Sequence, residues 1–435
     1  MRPTLSWSDL PGRAVGVFGV GREGEANVRA CRARGIEPVL VDDAPRDPAV
    51  LATAEGGLEA LLRCDVVIKT PGMSRYAPEV EKLVGAGVQV AGGLGLWLAE
   101  ADLRRVVCIT GTKGKSTTTA ITGHLLGNLG YRVLVGGNLG VPPFDPTVGD
   151  DYDYWIIEVS SYQALDVPVS PPVVAVTSLH PDHLPWHRGD PEVYYRDKLS
   201  VAAQPGADLT VANGDSALIR DRRGLLGRRI RWVCATDDPD ATWLAPLHLL
   251  GVHNRRNALI SRALMQALGV PEADDPAALA AAATGYGGLQ SRLQVIGTRS
   301  GVTFVDDSLS TNVLPTLAAV EAFPERRVAL IVGGQDRGID YRALGDGLRA
   351  RRAPVLVVTI PDNGPHIRQE LESTDPGPAI TAVDAPDLDA AVHTGYEWAR
   401  PDGVVLLSPA APSFGHFRDY QERGAVFAAA MRRCR

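Results

Sequence analysis

Short apolar runs alternate along this chain with stretches whose apolar residues recur every three or four positions. Runs at residues 14–18, 38–41, 65–69 and 88–90 read as buried strands, and the helix after the first extends through Arg34. A second series lies at 106–109, 133–135, 154–159 and 173–179; after its first run Ile121, Leu125, Leu126 and Leu129 share one helical face. A third occupies 302–305, 328–332, 355–360 and 404–407. Strands without a polar face, alternating with helices, imply parallel sheets covered on both sides. The expected fold is therefore α/β in three domains. A Rossmann-like domain spans 1–94, a central P-loop ATPase-type parallel-sheet domain 95–288, and a C-terminal Rossmann-like domain 289–435.

Composition narrows the partners. A chain of 435 residues exceeds one ordinary core. Its net charge of −7 leaves no basic footprint for nucleic acid, so any phosphate must be held locally. No apolar stretch reaches the length of a membrane span, and residues 1–13 lack the apolar centre of a signal peptide, so a cytoplasmic protein without a membrane partner is expected. A monomer is a separate expectation. The five cysteines are scattered and have no C-x-x-C spacing, which argues against a disulfide framework. Arginine is the default cation, and the only lysines are Lys69, Lys82, Lys113, Lys115 and Lys198. A lysine kept in such a background suggests a need for a compact or neutralisable amine.

The strongest chemical signal is the turn after the second series' first strand: Gly111, Thr112, Lys113, Gly114, Lys115, Ser116 and Thr117. Glycines let backbone N–H groups approach an anion, the helix N-terminus adds its dipole, Lys115 adds charge, and Ser116 would place a hydroxyl on Mg²⁺. The strict P-loop pattern fails, since Ile109 stands where its first glycine belongs. Glu158 ends an apolar strand of the same series, where an acid can hold Mg²⁺ opposite a triphosphate. Three histidines, His180, His183 and His187, invite a zinc reading, but no cysteine or second acid completes a tetrahedral set. Near the N-terminus, G-x-G-x-x-G at 19–24 is followed by Asp42 and Asp43. That pattern is compatible with a tight turn, with NAD, or with another nucleotide.

The T-G-T-x-G-K-S-T loop, followed in order by G-G-N-L-G, I-E-V-S-S-Y-Q, P-D-H, a helix lysine, H-N-x-x-N, D-D-S and S-P-A-A-P-S, resembles the Mur ligases of the glutamate-adding class over nearly the whole chain. The resemblance implies an ATP-dependent ligase. ATP would phosphorylate the alanine carboxylate of UDP-N-acetylmuramoyl-L-alanine, and the amine of glutamate would attack the acyl phosphate. It implies ATP contacts at the loop, Asn254, Asn257, Arg292 and Asp307. Two Mg²⁺ ions would be held by Ser116, Glu158, His183 and a carbamoylated Lys198, with His180 and His187 left as ordinary loop residues. The UDP substrate would meet Arg22, Glu23, Asp43, Gly72 and Asn138, and glutamate would meet Thr311, Arg337, Ser413 and Tyr420. Lys115, His183, Lys198 and Arg292 are the implied catalytic set, with deprotonation of the amine open to His183.

Departures fall mainly at the amino-acid end. Leu309 and Arg337 stand where D-glutamate-adding members carry lysines, Tyr420 replaces phenylalanine, and Ser291 and Gln294 replace the histidine and acid around Arg292. A planar fork in place of a point charge changes how two carboxylates are sorted. The altered pocket favours the variant that attaches L-glutamate, with D-glutamate as the alternative. A folylpolyglutamate synthetase-like ligase and a non-catalytic nucleotide-binding partner are the other readings. Lys113, where asparagine is common, is a further departure.

Overall fold

A computed structural model describes residues 4–138, 140–374 and 379–435. The loop expected at 375–378 and Leu139 of the G-G-N-L-G motif lie outside the described residues. Three sheets are present, one for each series of apolar runs.

The first has β1 (Val15–Phe18), β2 (Val39–Asp42), β3 (Leu51–Ala52), β4 (Val66–Lys69) and β5 (Gln89–Ala91), ordered β3-β2-β1-β4-β5 and parallel throughout. The second has β6 (Val106–Thr110), β7 (Val133–Gly137), β8 (Tyr154–Glu158), β9 (Val173–Val176), β10 (Leu209–Asn213) and β11 (Arg229–Val233), ordered β11-β10-β9-β6-β8-β7 and also parallel. The third has β12 (Gln294–Arg299), β13 (Val302–Asp306), β14 (Val328–Val332), β15 (Val355–Thr359), β16 (Ile380–Asp384) and β17 (Val404–Leu407), ordered β12-β13-β17-β14-β15-β16. Only its edge strand β12 runs antiparallel.

β6, β14 and β15 are buried at every position, as strands sandwiched between helix layers must be. Strand order places the working loops. β6 lies between β8 and β9, so the glycine loop after β6 emerges between Glu158 at the end of β8 and the 177–187 segment after β9. In the third sheet β17 lies between β13 and β14, which sets the loops after these three strands side by side. Parallel sheets bind ligands at this carboxyl edge.

The chain divides into two compact units, Met1–Leu247 with Arg256–Tyr286 and His248–Arg255 with Gly287–Arg435. The first two sheets belong to the first unit and the third sheet to the second. No helix among the described residues is long and apolar enough to cross a membrane.

Candidate active site

The glycine loop is built to hold its own shape before any ligand arrives. Gly114 caps the helix Lys115–Asn128 with φ +87°, and a Cβ there would stand 2.8 Å from Asn257 Oδ1, so glycine is required. Lys113 N–H donates to Ser178 Oγ at 2.7 Å, Thr177 Oγ1 donates to Lys113 O at 2.7 Å, and Thr112 Oγ1 lies 2.9 Å from the Tyr194 hydroxyl. Ser116 and Thr117 occupy the first helical turn, where N–H groups point outward to an anion. Lys115 Nζ donates to Thr112 O at 3.2 Å. Lys113 pairs with Asp182 at 3.2 Å, which gives that departure a local role.

Beside this loop lies a buried polar group with capacity to spare. Glu158 is 1% exposed; Oε1 accepts from Asn138 Nδ2 at 2.6 Å, and Oε2 has no hydrogen-bond partner among the described residues. A buried carboxylate oxygen without a partner is costly, and a bound cation would relieve it. Asn138, expected at the UDP substrate, therefore spends its amide on this acid.

Lys198 projects from the helix Pro191–Leu199 into the same region and is 2% exposed, with Nζ donating to Gly111 O at 3.1 Å. Burial, with Lys115 and Lys113 nearby, pushes its pKa well below the usual lysine range. His183 has φ 50° and an exposed ring; desolvation lowers its pKa, Asp182 opposes that shift, and the lysines reinforce it. His187 corrects the expectation of an ordinary loop residue, because its ring is fully buried and bonded at both nitrogens. His180 is half-buried and gives its backbone N–H to Thr112 Oγ1.

The first sheet contributes the turn at 19–24. Val20 N–H donates to Asp42 Oδ2 at 2.7 Å and Ala44 N–H to Asp42 Oδ1 at 3.0 Å, so Asp42 closes the turn. Asp43, the acid expected at the substrate, is exposed and accepts from Thr53 Oγ1. It is Asp42 that lines the adjoining cavity of about 810 Å³, with Arg22, Arg29, Arg32 and Arg46. Glu23 faces the second sheet and accepts from Gln163 Nε2 at 3.0 Å; burial raises its pKa to about 7. Arg22 donates to Gly140 O. Gly72 O accepts from Trp186 Nε1 at 3.5 Å. Lys69, fully buried at the end of β4, pairs with Asp166, which also takes Arg75 at 2.6 Å.

In the second unit, Asp307 is buried and accepts from Leu293 N–H at 3.0 Å, Ser408 Oγ at 2.8 Å and Ser310 Oγ. Burial raises its pKa to about 6 against those bonds and the charge of Arg292. Ser291 bonds Asp306 Oδ2 at 2.8 Å, a structural use for the residue that departs from the family pattern. Asn254 Nδ2 donates to Leu250 O at 2.9 Å, while Asn257 belongs to the first unit beside Gly114. Thr311 and Arg337 are exposed, Arg337 reaching Gln335 Oε1 at 3.3 Å; Ser413 is buried and Tyr420 opens the helix Tyr420–Arg433.

No motif flagged Arg423. It is fully buried, and its guanidinium donates to the carbonyls of Ser308, Ala411 and Gly333 at 2.7, 3.1 and 3.4 Å. One cation thus ties together the loops after β13, β17 and β14, from which Thr311, Ser413 and Arg337 extend. Its sequence signal was only an arginine one turn beyond Tyr420.

The Mur ligase middle domain family matches residues 109–243, and the Mur ligase glutamate ligase domain family matches residues 291–411. A protein of a Micromonospora species named UDP-N-acetylmuramoyl-L-alanine--L-glutamate ligase is 40% identical, over 98% of each chain. One of the same name from Xanthomonas euvesicatoria pv. vesicatoria is 37% identical over 97% of this chain and 95% of its own. Among solved structures, the MurF ligase of Thermotoga maritima in complex with ADP aligns with a TM-score of 0.56 at 16% identity, over 99% of this chain and 98% of that one, a likeness of fold. With relatives above a third identical along almost its full length, the chain belongs to the Mur ligase family.

Proposed function

We propose that this protein is the ATP-dependent ligase that joins L-glutamate to the alanine carboxyl of UDP-N-acetylmuramoyl-L-alanine, giving ADP and phosphate. The observation that carries the reading is the phosphate loop itself. Lys113 and Lys115 act electrostatically on Lys198 there, next to a buried carboxylate oxygen of Glu158 that lacks a hydrogen-bond partner among the described residues. The L-enantiomer is supported by the relatives' names and by the departures at Leu309 and Arg337.

In this reading residues 1–94 bind the UDP substrate, 95–288 bind ATP, and 289–435 bind glutamate. The site acts in the cytoplasm on small molecules, as a monomer. Lys115 and the N–H groups of the loop hold the triphosphate and neutralise charge as the phosphoryl group moves to the alanine carboxylate. Ser116 and Glu158 would hold one Mg²⁺; the partnerless Oε2 of Glu158 is the oxygen that fits it. Among the described residues no three His, Cys, Asp or Glu side chains gather as ready metal ligands, so a second Mg²⁺ needs another anion. Carbamoylation of Lys198 by CO₂ supplies one beside His183, and an amine held below its usual pKa is suited to that reaction. Two ions held there would supply electrostatic stabilisation of the transferring phosphoryl group. His183, whose pKa is lowered by desolvation, would take a proton from the attacking amine when it is not holding the metal. Arg292 and Asp307 are assigned to ATP, and Thr311, Arg337, Ser413 and Tyr420 to the amino acid. Asn138 supports Glu158 in this scheme.

The test supplies UDP-N-acetylmuramoyl-L-alanine, ATP, Mg²⁺ and one glutamate enantiomer at a time, and measures phosphate release. Turnover with L-glutamate is expected. Turnover with D-glutamate alone would reverse the enantiomer, and none with either would remove the ligase reading.

A further inference from the structure

A buried chain of hydrogen bonds runs behind the phosphate loop through residues to which no motif assigns a role. His187 Nδ1 lies 2.6 Å from Asp197 Oδ2, and its Nε2 lies 3.1 Å from Ser161 Oγ. The Tyr76 hydroxyl donates to both Asp197 oxygens at 2.9 and 3.0 Å. A carboxylate accepts only, so Nδ1–H donates to Asp197, and Nε2 of the neutral ring then accepts from the Ser161 hydroxyl. The imidazole is fixed further by Tyr162, stacked at 5.8 Å, and by Tyr194, edge-on at 5.1 Å. Serine, histidine and aspartate in this order can activate a nucleophile, but Ser161 is 2% exposed and His187 fully buried, so no scissile carbonyl reaches the pair.

What distinguishes the chain is where its members sit. Asp197 immediately precedes Lys198, Ser161 lies three residues after Glu158, His187 four after His183, and Tyr76 four after Gly72. The segment bearing Tyr76 is pinned to the same loop a second time, because Ser74 Oγ donates to Trp186 O at 3.1 Å and the Arg188 guanidinium covers the Tyr76 ring at 4.3 Å. Through these contacts the first sheet reaches the base of the Lys198 helix.

We propose that His187 is a positioning residue for Lys198, and that Tyr76 makes the placement of Lys198 depend on the first-sheet segment that carries Gly72. His187 sets the distance between the turn after Glu158 and the helix bearing Lys198, so the carboxylate and the modified amine face one site. The inference rests on the carbamate reading of Lys198. Partners one layer behind metal ligands commonly matter about 10–100-fold in affinity or activity.

The experiment compares the full-length protein with His187→Phe, which keeps a ring and removes both nitrogens, with His187→Gln, and with Tyr76→Phe. Each is equilibrated with ¹³C-bicarbonate and Mg²⁺, the carbamate carbon is observed by NMR, and steady-state kinetics are recorded for each substrate. For His187→Phe the carbamate signal should vanish and kcat fall about 10–100-fold, with the KM for ATP changed less than about twofold, as expected when binding of that substrate is untouched. His187→Gln, whose amide can still donate to Asp197, should recover part of both. Tyr76→Phe should raise the KM for the UDP substrate and leave that for ATP unchanged. A His187→Phe protein with the original signal and kcat would overturn the proposal. Should that variant fail to fold, Tyr76→Phe with unchanged KM values and an unchanged signal would overturn it. An unsubstituted protein with no carbamate signal would overturn the Lys198 reading as well, whereas a normal signal insensitive to all three changes would overturn the positioning role alone.

Discussion

Two strand–glycine–helix turns in the first unit share a backbone plan and differ in what they do with charge. In the turn after β1, an acid of the protein, Asp42, already takes the N–H of Val20, and Gly24 is needed because a Cβ there would run into the carbonyl oxygen of Gly19. Gly24 and Gly19 serve close packing, and the cavity to one side mixes Arg22, Arg29, Arg32 and Arg46 with Glu25, Asp42 and Asp47. In the turn after β6, the bracing bonds come from neutral Thr112, Thr177 and Ser178, and the loop itself carries Lys115 beside Lys113, whose charge pairs with Asp182. Glycine spacing reports the shape of a turn; the charge left over after the protein has satisfied itself reports the ligand.

The largest effect should come from Lys115→Met. Removing one charge placed at the developing transition state costs about 10²–10³ in kcat, whereas Arg22→Met in the other turn should leave kcat alone and weaken only the UDP substrate. Steady-state kinetics on both variants checks the pair. Next is Lys198→Ala, with a large loss of turnover and partial return on adding short carboxylic acids that imitate the carbamate. Normal turnover by this variant would remove Lys198 from the site.

Gly24→Ala sharpens the contrast from the other side. Overpacking should lower stability by about 1–3 kcal/mol without changing ATP affinity, while Gly114→Ala should weaken ATP binding; denaturant unfolding and nucleotide titration separate the two. The smallest effect concerns Glu23. Burial raises its pKa to about 7 from the ordinary 4.5. The folded protein then holds this proton more tightly than the unfolded chain, so stability from Glu23 is complete below pH 4.5 and is lost as pH rises through about 7. Glu23→Gln should flatten that stretch of the stability–pH curve.

Much of the fold was written in local pattern. β6, β8, β14 and β17 are continuous apolar runs, and the loop after β6 carries its glycines and lysines within a few residues. Strands with weaker patterns were missed. β11 alternates exposed and half-buried positions at a sheet edge, β12 is an antiparallel edge strand interrupted by a bulge near Gly297, and β3 has two residues. β10 is a short run, Leu209–Asn213, with no motif beside it. At the site, the residues legible in the sequence are those next to glycines or strand ends, such as Lys115 and Glu158. It could not show that His187 would be buried, because Asp197 and Ser161 reach it from 10 and 26 residues away. Nor could it show Arg423 holding carbonyls 115 and 90 residues distant. Long-range partners of polar side chains leave no periodic trace.

The most direct measurement follows the oxygen of the substrate. UDP-N-acetylmuramoyl-L-alanine labelled with ¹⁸O in its alanine carboxylate is incubated with the protein, ATP, Mg²⁺ and L-glutamate, and the released phosphate is analysed by mass. Phosphate carrying one ¹⁸O is predicted, since the acyl phosphate keeps that oxygen when the amine displaces it. Phosphate released without label would contradict activation of the carboxylate at the Lys115 loop.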